Sequence, residues 1–360
     1  MTAQRLILND FLAQSKDQLI IDVRSPAEYN HAYIPGAVSI PLFNDEERKE
    51  VGTAYKQKSR EQAIKIGLDF FGPKMRKMVE EVESILEKRN DTIGSDLETS
   101  TNHHSSKTVF IYCWRGGMRS GALSWLLSLY GFKVFVLAGG YKAFRNGVLK
   151  TFQFPWQLKV LGGYTGSGKT EVLHALKNAG EPVIDLEGIA VHKGSAFGNI
   201  NLPPQPTQEQ FENLLAAAFH QLNNNQPIWI EDESQRIGSI NIPGALWHTI
   251  RQSPVYFLDV PFDERLQHIV EEYGQLDKEK VAAAIQRITK RLGGLETKNA
   301  LRLLEEDKWS ECFSILLKYY DKHYYKSLHN REGLSALLHQ VKCAQAGLAN
   351  VRYLLNETPA

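Results

Sequence analysis

The chain has 360 residues, of which 42% are hydrophobic and 23% are charged. These proportions exclude a wholly disordered or fibrous protein, and the length favours two or more domains. No apolar run reaches the roughly 18–20 residues that a membrane-spanning helix needs, and residues 1–14 lack the pattern of a secretory signal. Three cysteines in a chain of this length predict no disulfide framework, so we expect a cytoplasmic protein.

The net formal charge of +1 conceals an uneven distribution of charged residues. Residues 99–170 contain no Asp or Glu but nine Lys or Arg residues, so the rest of the chain is net negative. A stretch of one sign and this length predicts a local field that attracts anions. His103 and His104 lie in the polar segment 90–107 and are typical of solvated loop residues, and no metal site is certain from the sequence.

The first 140 residues alternate between strand and helix patterns. Strands are predicted at 18–23, 38–40, 108–112 and 133–137, and helices from residue 26, over 45–90 and at 120–130. This alternation predicts an α/β fold in which helices flank a parallel sheet.

The first candidate site lies in residues 111–120, IYCWRGGMRS. Cys113 ends a strand, a glycine-bearing loop follows, and Ser120 can cap the next helix. Backbone N–H groups and the positive end of a helix lower a thiol pKa, which predicts a thiolate nucleophile. Arg115 and Arg119 supply the charge and planar donor geometry that bind an oxyanion.

Two flanking segments resemble the signatures of a rhodanese domain. Residues 22–41, DVRSPAEYNHAYIPGAVSIP, resemble its opening signature, and residues 137–144, LAGGYKAF, resemble its closing one. Five residues separate Cys113 from Arg119, whereas common single-domain sulfurtransferases of this fold have four. The longer loop also resembles that of rhodanese-fold phosphatases and suits a tetrahedral, phosphate-like group.

The second candidate site is GYTGSGKT at residues 163–170, which follows a strand and precedes a helix, as a phosphate-binding loop requires. Lys169 would neutralise a phosphate chain, and Thr170 is available to Mg²⁺. The predicted phosphate-binding residues are Gly163, Thr165, Gly166, Ser167, Gly168, Lys169 and Thr170.

Two more segments of the second half are candidates for the same site. IWIEDE at 228–233 resembles a Walker B strand, in which Glu231 or Asp232 could hold a metal-bound water. HKGSAFG at 192–198 is a candidate substrate loop, with His192, Gly194, Ser195 and Gly198 as its candidate residues. Further strands are predicted at 182–185, 227–231 and 255–259, and helices from Asp263 to the end.

A rhodanese domain directly ahead of a phosphate-binding loop resembles the bacterial tRNA 2-selenouridine synthases. The resemblance rests on CWRGGMRSG, GGYKAFR, GGYTGSGKT, IDLEGIAVHKGSAFG, QPTQEQFE and IEDESQRIG. It implies a rhodanese-like domain at 5–150, an α/β domain with a P-loop (the NTPase-type phosphate-binding loop) at 151–262, and a helical region at 263–360. That last region would pack on the P-loop domain and contribute to tRNA binding.

The resemblance also implies a two-step modification of the wobble uridine. A geranyl group from geranyl diphosphate is placed on the sulfur of 2-thiouridine, and selenium from selenophosphate then replaces the S-geranyl group. Cys113 would accept selenium as a persulfide-like intermediate, Arg115 and Arg119 would hold the departing phosphate, and the loop around Lys169 would grip the diphosphate. We expect no tightly bound cofactor, no membrane association and a monomer; a need for Mg²⁺ stays open.

Two basic segments are candidate tRNA contacts. Lys142, Arg145 and Lys150 lie between the two motifs, and we predict that they contact tRNA phosphates. The C-terminal region offers basic residues interleaved with Tyr319, Tyr320, Tyr324 and Tyr325. These basic residues are Arg287, Lys290, Arg291, Lys298, Arg302, Lys318, Lys322, His323 and Lys326.

Two other functions stay open at this point. An ATP-dependent tRNA sulfurtransferase or kinase would use the phosphate loop for a nucleotide, although no base-specifying motif is evident. A rhodanese-fold phosphatase or binding module would use the longer Cys113 loop.

Overall fold

A computed structural model describes residues 3–94, 107–222 and 225–357. The chain divides into two compact units, residues 1–150 and 151–360. His103 and His104 lie outside the described residues. Within the described ranges no helix is both long and apolar enough to cross a membrane.

The first unit is built on a parallel sheet of five strands in the order β1-β5-β4-β2-β3. The strands are β1 (Gln4–Leu6), β2 (Leu19–Asp22), β3 (Ala37–Ser39), β4 (Thr108–Tyr112) and β5 (Lys133–Leu137). The helices are α1 (Leu8–Gln14), α2 (Pro26–His31), α3 (Asp45–Gln57), α4 (Arg60–Phe71), α5 (Met75–Gly94), α6 (Met118–Leu129) and α7 (Gly140–Thr151), with a 3₁₀ turn at Gly72–Lys74.

The core of this unit confirms the predicted α/β fold. Val109 and Ile111 of β4 and Ile21 of β2 are fully buried against Leu123 and Leu127 of α6. A central parallel strand is covered on both faces, which is why TVFIY is apolar almost throughout rather than alternating. The carboxyl ends of β2 and β4 lie side by side, and they place Asp22 next to Tyr112.

The second unit contains another parallel five-stranded sheet, in the order β12-β11-β6-β8-β7. The strands are β6 (Leu158–Gly163), β7 (Val183–Ile184), β8 (Ile228–Glu231), β9 (Arg236–Ile237), β10 (Ile240–Asn241), β11 (Val255–Asp259) and β12 (Leu338–Lys342); β9 and β10 form a separate antiparallel pair. The helices are α8 (Lys169–Asn178), α9 (Leu186–Ala190), α10 (Gln208–Gln221), α11 (Gly244–Gln252), α12 (Phe262–Tyr273), α13 (Lys278–Arg287), α14 (Thr289–Leu292), α15 (Gly294–Glu305), α16 (Trp309–His329), α17 (Leu334–Leu337) and α18 (Val351–Glu357), with a 3₁₀ turn at Leu348–Asn350.

The C-terminal part is mainly helical, as predicted, with one exception. Residues 338–342 form β12, which pairs in parallel with β11 at the edge of the sheet. The prediction of helix is wrong there because an edge strand buries little: only Val341 of LHQVK is buried. Helices α12, α13, α15 and α16 share a core of their own around Phe313, Leu316 and Ile285.

Candidate functional site

The loop between β4 and α6 surrounds the thiol of Cys113, and Cys113 as a whole is only 3% exposed. The Gly117 N–H donates to Cys113 Sγ at 3.3 Å, and Ser120 Oγ lies 3.2 Å from the same sulfur. Burial opposes ionisation, but hydrogen bonds from Ser120 and from the backbone of Arg115, with the charge of Arg119, lower the pKa of Cys113 overall. These contacts favour the thiolate, the nucleophilic form of cysteine.

The two arginines of this loop differ in their surroundings. Arg119 donates from Nη1 to Glu28 Oε2 at 2.6 Å and from Nη2 to Glu28 Oε1 at 3.4 Å. Glu28 is itself fixed at the start of α2, where it accepts the Ser25 N–H. Arg115 is exposed, and its side chain has no hydrogen bond or ion pair within the described ranges. An anion at this loop would therefore meet one positioned and one adjustable guanidinium.

The closing signature packs directly against the Cys113 loop. Tyr141 N–H donates to Cys113 O at 2.8 Å, and Lys142 N–H donates to Trp114 O at 3.0 Å. Gly140 has a φ of +59°, and a Cβ on it would lie 2.2 Å from Cys113 O. Glycine is therefore required at position 140 by both conformation and space.

A buried ion pair links the opening signature to the same place. Arg24 donates to both carboxylate oxygens of Asp22, at 2.6–3.0 Å, and to Ala32 O at 2.6 Å. Its guanidinium lies 3.8 Å from the centre of the Tyr141 ring. Breaking such a buried ion pair typically lowers the free energy of unfolding by about 3–5 kcal/mol. The opening and closing signatures therefore stabilise the shape of the Cys113 loop. Sequence reasoning gave Asp22, Arg24 and Glu28 no role.

Replacing Gly140 by alanine should destabilise the first unit by at least about 1–3 kcal/mol, because a side chain there is both strained and obstructed. The matched control is Gly121→Ala on α6, where a new Cβ would have no described atom outside its own helix backbone within 4 Å. Alanine should stabilise that helix by about 0.5–1 kcal/mol relative to glycine. Urea unfolding of both variants measures the difference. Equal stability of Gly140→Ala and the wild type would refute this steric explanation of the signature.

In the second unit, the predicted phosphate-binding loop joins β6 to α8. Lys169 Nζ donates to Gly163 O at 2.9 Å, which folds the lysine back over the loop. Thr170 Oγ1 donates to Glu187 Oε2 at 3.2 Å. Ser167 Oγ is buried and has no hydrogen-bond partner among the described residues. The predicted residues other than Gly163 all line a cavity of about 900 Å³.

The cavity lining has a polar part and an apolar part. The polar part is the phosphate-binding loop together with Glu187 and Glu233. The apolar part is formed by Ile269, Tyr273, Ile288, Phe313, Leu316 and Leu317, and Ile269 borders the phosphate-binding loop, since a Cβ on Gly166 would lie 2.8 Å from its Cδ1. A ligand with an anionic head and a hydrocarbon tail matches this division.

The predicted substrate loop borders the same cavity. His192, Gly194 and Ser195 line it, whereas Gly198 does not and instead packs against His192, since a Cβ there would lie 2.8 Å from His192 Nδ1. Burial lowers the pKa of His192, which favours the neutral imidazole. The loop is held to α16 by the Ala196 N–H, which donates to Tyr320 Oη at 3.1 Å.

The two predicted Walker B residues both have protein partners. Glu231 Oε1 accepts the Glu187 N–H at 2.7 Å, while its Oε2 is buried and has no partner in the part of the chain that the structure describes. Asp232 lines the cavity and accepts Tyr324 Oη–H and Arg331 Nη2–H, both at 2.7 Å. Asp232 therefore positions Tyr324, and a metal-holding role for either carboxylate stays a prediction.

Sequence reasoning missed Glu187 and Glu233 in the polar part of the lining, and it assigned Tyr324 to tRNA, whereas the Tyr324 hydroxyl is hydrogen-bonded to Gly163 and Asp232. Burial, and then the nearby charge of Glu187, raise the pKa of Glu233 to about 8, and burial also raises the pKa of Glu187. Tyr324 Oη accepts the Gly163 N–H at 3.1 Å and so connects α16 to the phosphate-binding loop. Glu187 lies within the distinctive segment IDLEGIA, which was the available signal, but nothing local pairs Tyr324 with Gly163.

Comparison with known proteins matches both halves of the chain. Residues 156–341 match the family model described as tRNA 2-selenouridine synthase AAA domain, and residues 7–147 match the Rhodanese-like domain. The tRNA 2-selenouridine synthase of Nitrosomonas europaea is 32% identical, over 88% of this chain and 90% of the relative. Those of Hydrogenovibrio crunogenus and Shewanella frigidimarina are 35% and 33% identical; the matches cover 85% and 87% of this chain, and 88% and 89% of the relatives.

Proposed function

The chain belongs to the tRNA 2-selenouridine synthase family, and we propose that it converts wobble 2-thiouridine in tRNA to 2-selenouridine in two steps at two sites. Geranyl diphosphate alkylates the tRNA sulfur at the phosphate-binding loop. Selenium from selenophosphate then replaces the S-geranyl group with the participation of Cys113. The observation that carries the proposal is a cavity lined both by a phosphate-binding loop and by apolar side chains.

The first step needs a cation beside the departing pyrophosphate and an apolar site for the ten-carbon chain. Lys169 and the loop amides supply positive charge where negative charge develops, which is the main source of catalysis in such sites. Tyr273 and Ile288 are half-buried and line the cavity, so they would contact the geranyl group, and the more deeply buried Phe313, Leu316 and Leu317 also border the cavity. A volume of about 900 Å³ is at the upper end of typical ligand pockets and leaves room for a base as well.

The cavity supports a prenyl diphosphate over a nucleotide because its lining includes apolar side chains. Its lining contains no residue beyond Ser327, so the segment after β12 does not take part in it within the described chain. That segment instead closes on the phosphate-binding loop, because a Cβ on Gly168 would lie 2.5 Å from Gly347 N. A nucleotide base would have to sit against the hydrocarbon wall.

Mg²⁺ would bind at the polar part of the cavity lining together with the diphosphate. Thr170, Glu187 and Glu233 would hold it, and it would help to neutralise the phosphate oxygens. No group of three His, Cys, Asp or Glu residues is placed to hold a metal on its own in the described part of the chain. The diphosphate would therefore have to supply ligands, and without a cation one of the two glutamates would hold a proton to limit repulsion.

Electron balance favours attack of Cys113 on phosphorus in the second step. Selenium in selenophosphate is at the selenide level, and a persulfide-like adduct on cysteine would require an oxidant that neither co-substrate supplies. Attack of the thiolate on phosphorus breaks the P–Se bond, forms cysteinyl phosphate and releases HSe⁻. Selenide then displaces the geranyl thiolate from C2 of the base, and water returns Cys113 to the thiolate with release of phosphate. Arg115 and Arg119 would hold the phosphoryl oxygens.

Nucleoside analysis of tRNA from a strain that lacks the gene tests the proposed function. We expect 2-selenouridine to disappear while 2-thiouridine is retained, and the wild-type gene to restore it. Loss of 2-thiouridine instead would favour the sulfurtransferase alternative. Unchanged 2-selenouridine would contradict the proposal.

Helix α7, which carries Lys142, Arg145 and Lys150, remains a candidate tRNA surface. On α7, Lys142 and Lys150 are exposed and Arg145 is half-buried. Replacing all three by glutamine should weaken tRNA binding and flatten its log–log salt dependence by about 0.7–0.9 per lost phosphate contact. The control replaces the exposed residues Lys49, Lys56 and Lys77 by glutamine. An equal salt slope in both triple variants would exclude phosphate contacts by these three residues of α7.

A further inference from the structure

The mouth of the cavity in the second unit differs from its interior. Arg287, Arg291 and His323 line the cavity but are exposed, and Tyr319 beside them is half-buried. The interior wall on the same helix, α16, is buried. We call Arg287, Arg291, Tyr319 and His323 the cavity lip.

No acidic side chain forms an ion pair with either arginine of the lip within the described parts of the chain. Arg291 has no side-chain hydrogen bond there, and Arg287 donates to two neutral oxygens, Ala196 O and Asn199 Oδ1. Burial, and then the charges of Arg291 and two neighbouring lysines, lower the pKa of His323, which places those cations beside it. The two lysines are Lys322 and Lys326.

The nearest acidic residue on α16 is already neutralised. Asp321 accepts both Nη groups of Arg265, at 2.9 and 2.8 Å, on the side that faces α12. From residue 322 to the end of α16 there is no Asp or Glu. The electrostatic potential at the lip therefore favours a polyanion.

Aromatic rings lie among these cations. The Tyr319 ring makes an edge contact with the His323 ring, with centroids 4.6 Å apart. Tyr325, six residues after Tyr319 on α16, is 53% exposed and stacks on His329 with ring centroids 3.8 Å apart, but it does not line the cavity. Flat rings next to cations are the combination that binds unstacked RNA nucleotides, through base stacking and phosphate contacts. An acidic peptide would use the charges but not the rings.

We propose that the cavity lip binds the unstacked anticodon-loop nucleotides of tRNA, with Tyr319 and His323 stacking on a base next to the wobble position and Arg291 contacting a phosphate. This inference rests on the proposed function, which needs the sulfur of the wobble base to reach the carbon attached to the diphosphate. With the diphosphate at the phosphate-binding loop and the hydrocarbon chain against the apolar part of the lining, that carbon would lie between the two. The lip is the exposed edge through which the base can enter.

The test is the binding of an anticodon stem–loop RNA that carries 2-thiouridine, measured by fluorescence anisotropy over a range of salt concentrations without geranyl diphosphate. Tyr319→Ala should raise Kd by roughly 5- to 150-fold, the usual loss for one stacked base. Tyr319→Phe keeps the ring and should bind like the wild type. Arg291→Gln should reduce the log–log salt slope by about 0.7, the value for one single-strand phosphate contact.

Lys177→Gln is the matched control, because Lys177 is exposed on α8 and does not line the cavity. Wild-type affinity in Tyr319→Ala together with a wild-type slope in Arg291→Gln would overturn the proposal. Thermal unfolding shows whether Tyr319→Ala is folded, and Arg291→Gln, an exposed substitution, decides the matter if it is not. Calorimetric titration of geranyl diphosphate into the wild type is independent: its failure would count against the proposed function and leave the lip result standing.

Discussion

Replacing Lys169 by alanine is expected to slow geranyl transfer to 2-thiouridine by about 10²–10³-fold, the usual cost of losing one donor to a developing anion. Lys169 lies over the phosphate-binding loop, and no other lysine or arginine of residues 163–170 could replace its charge. The measurement is single-turnover formation of S-geranyl-2-thiouridine with saturating geranyl diphosphate. Because the defect concerns departure of pyrophosphate, tRNA that is already geranylated should still be converted to the selenium form.

Lys177→Ala serves as the control for Lys169→Ala, since Lys177 lies on the same helix but outside the cavity. We expect its geranyl transfer rate to match that of the wild type. A geranyl transfer rate of Lys169→Ala within a few-fold of the wild-type rate would contradict a catalytic role for this lysine. A strict requirement for ATP or GTP in geranyl transfer would instead favour the kinase-like alternative.

Replacing Cys113 by alanine should abolish selenium incorporation while S-geranyl-2-thiouridine still forms and accumulates. The alkylation step uses the sulfur of the tRNA as nucleophile, whereas cleavage of selenophosphate requires the thiolate that Ser120, Gly117 and Arg119 stabilise. The measurement follows both nucleosides by mass spectrometry in one reaction. Cys113→Ser, which keeps the size of the side chain, should show the same separation of the two steps.

Cys312→Ala is the control for a nonspecific effect of losing a cysteine. Cys312 is buried among the C-terminal helices, and burial raises its pKa to about 11, so it is a structural residue. Both steps should proceed in this variant. Formation of 2-selenouridine by Cys113→Ala at the wild-type rate would exclude Cys113 from the reaction.

The parts of the molecule that could be predicted from sequence are those whose chemistry is local. Cys113, Arg115 and Arg119 lie within seven consecutive residues, and Lys169 belongs to a phosphate-binding motif flanked by its strand and helix. Most strands of the parallel sheets were predictable for the same reason, because each of them carries its own apolar run. Edge strands β1 and β12 were missed because only one residue of each is buried.

Contacts between distant parts of the chain could not be predicted. The Arg119–Glu28 pair joins residues 91 positions apart, and the Tyr324–Asp232 hydrogen bond joins residues 92 apart. The apolar part of the cavity lining is another such case, because its residues come from α12, from α16 and from the junction of α13 and α14. No sequence motif marks Phe313, Leu316 and Leu317 as a ligand wall, because their spacing is also that of an ordinary helix core.

The most direct measurement is a reconstituted reaction of the purified chain with 2-thiouridine-containing tRNA, geranyl diphosphate and selenophosphate, without any nucleotide. Mass spectrometry of the nucleosides over time should show S-geranyl-2-thiouridine appearing first and 2-selenouridine replacing it. Formation of 2-selenouridine without geranyl diphosphate, or only when ATP or GTP is added, would contradict a two-step reaction on this chain.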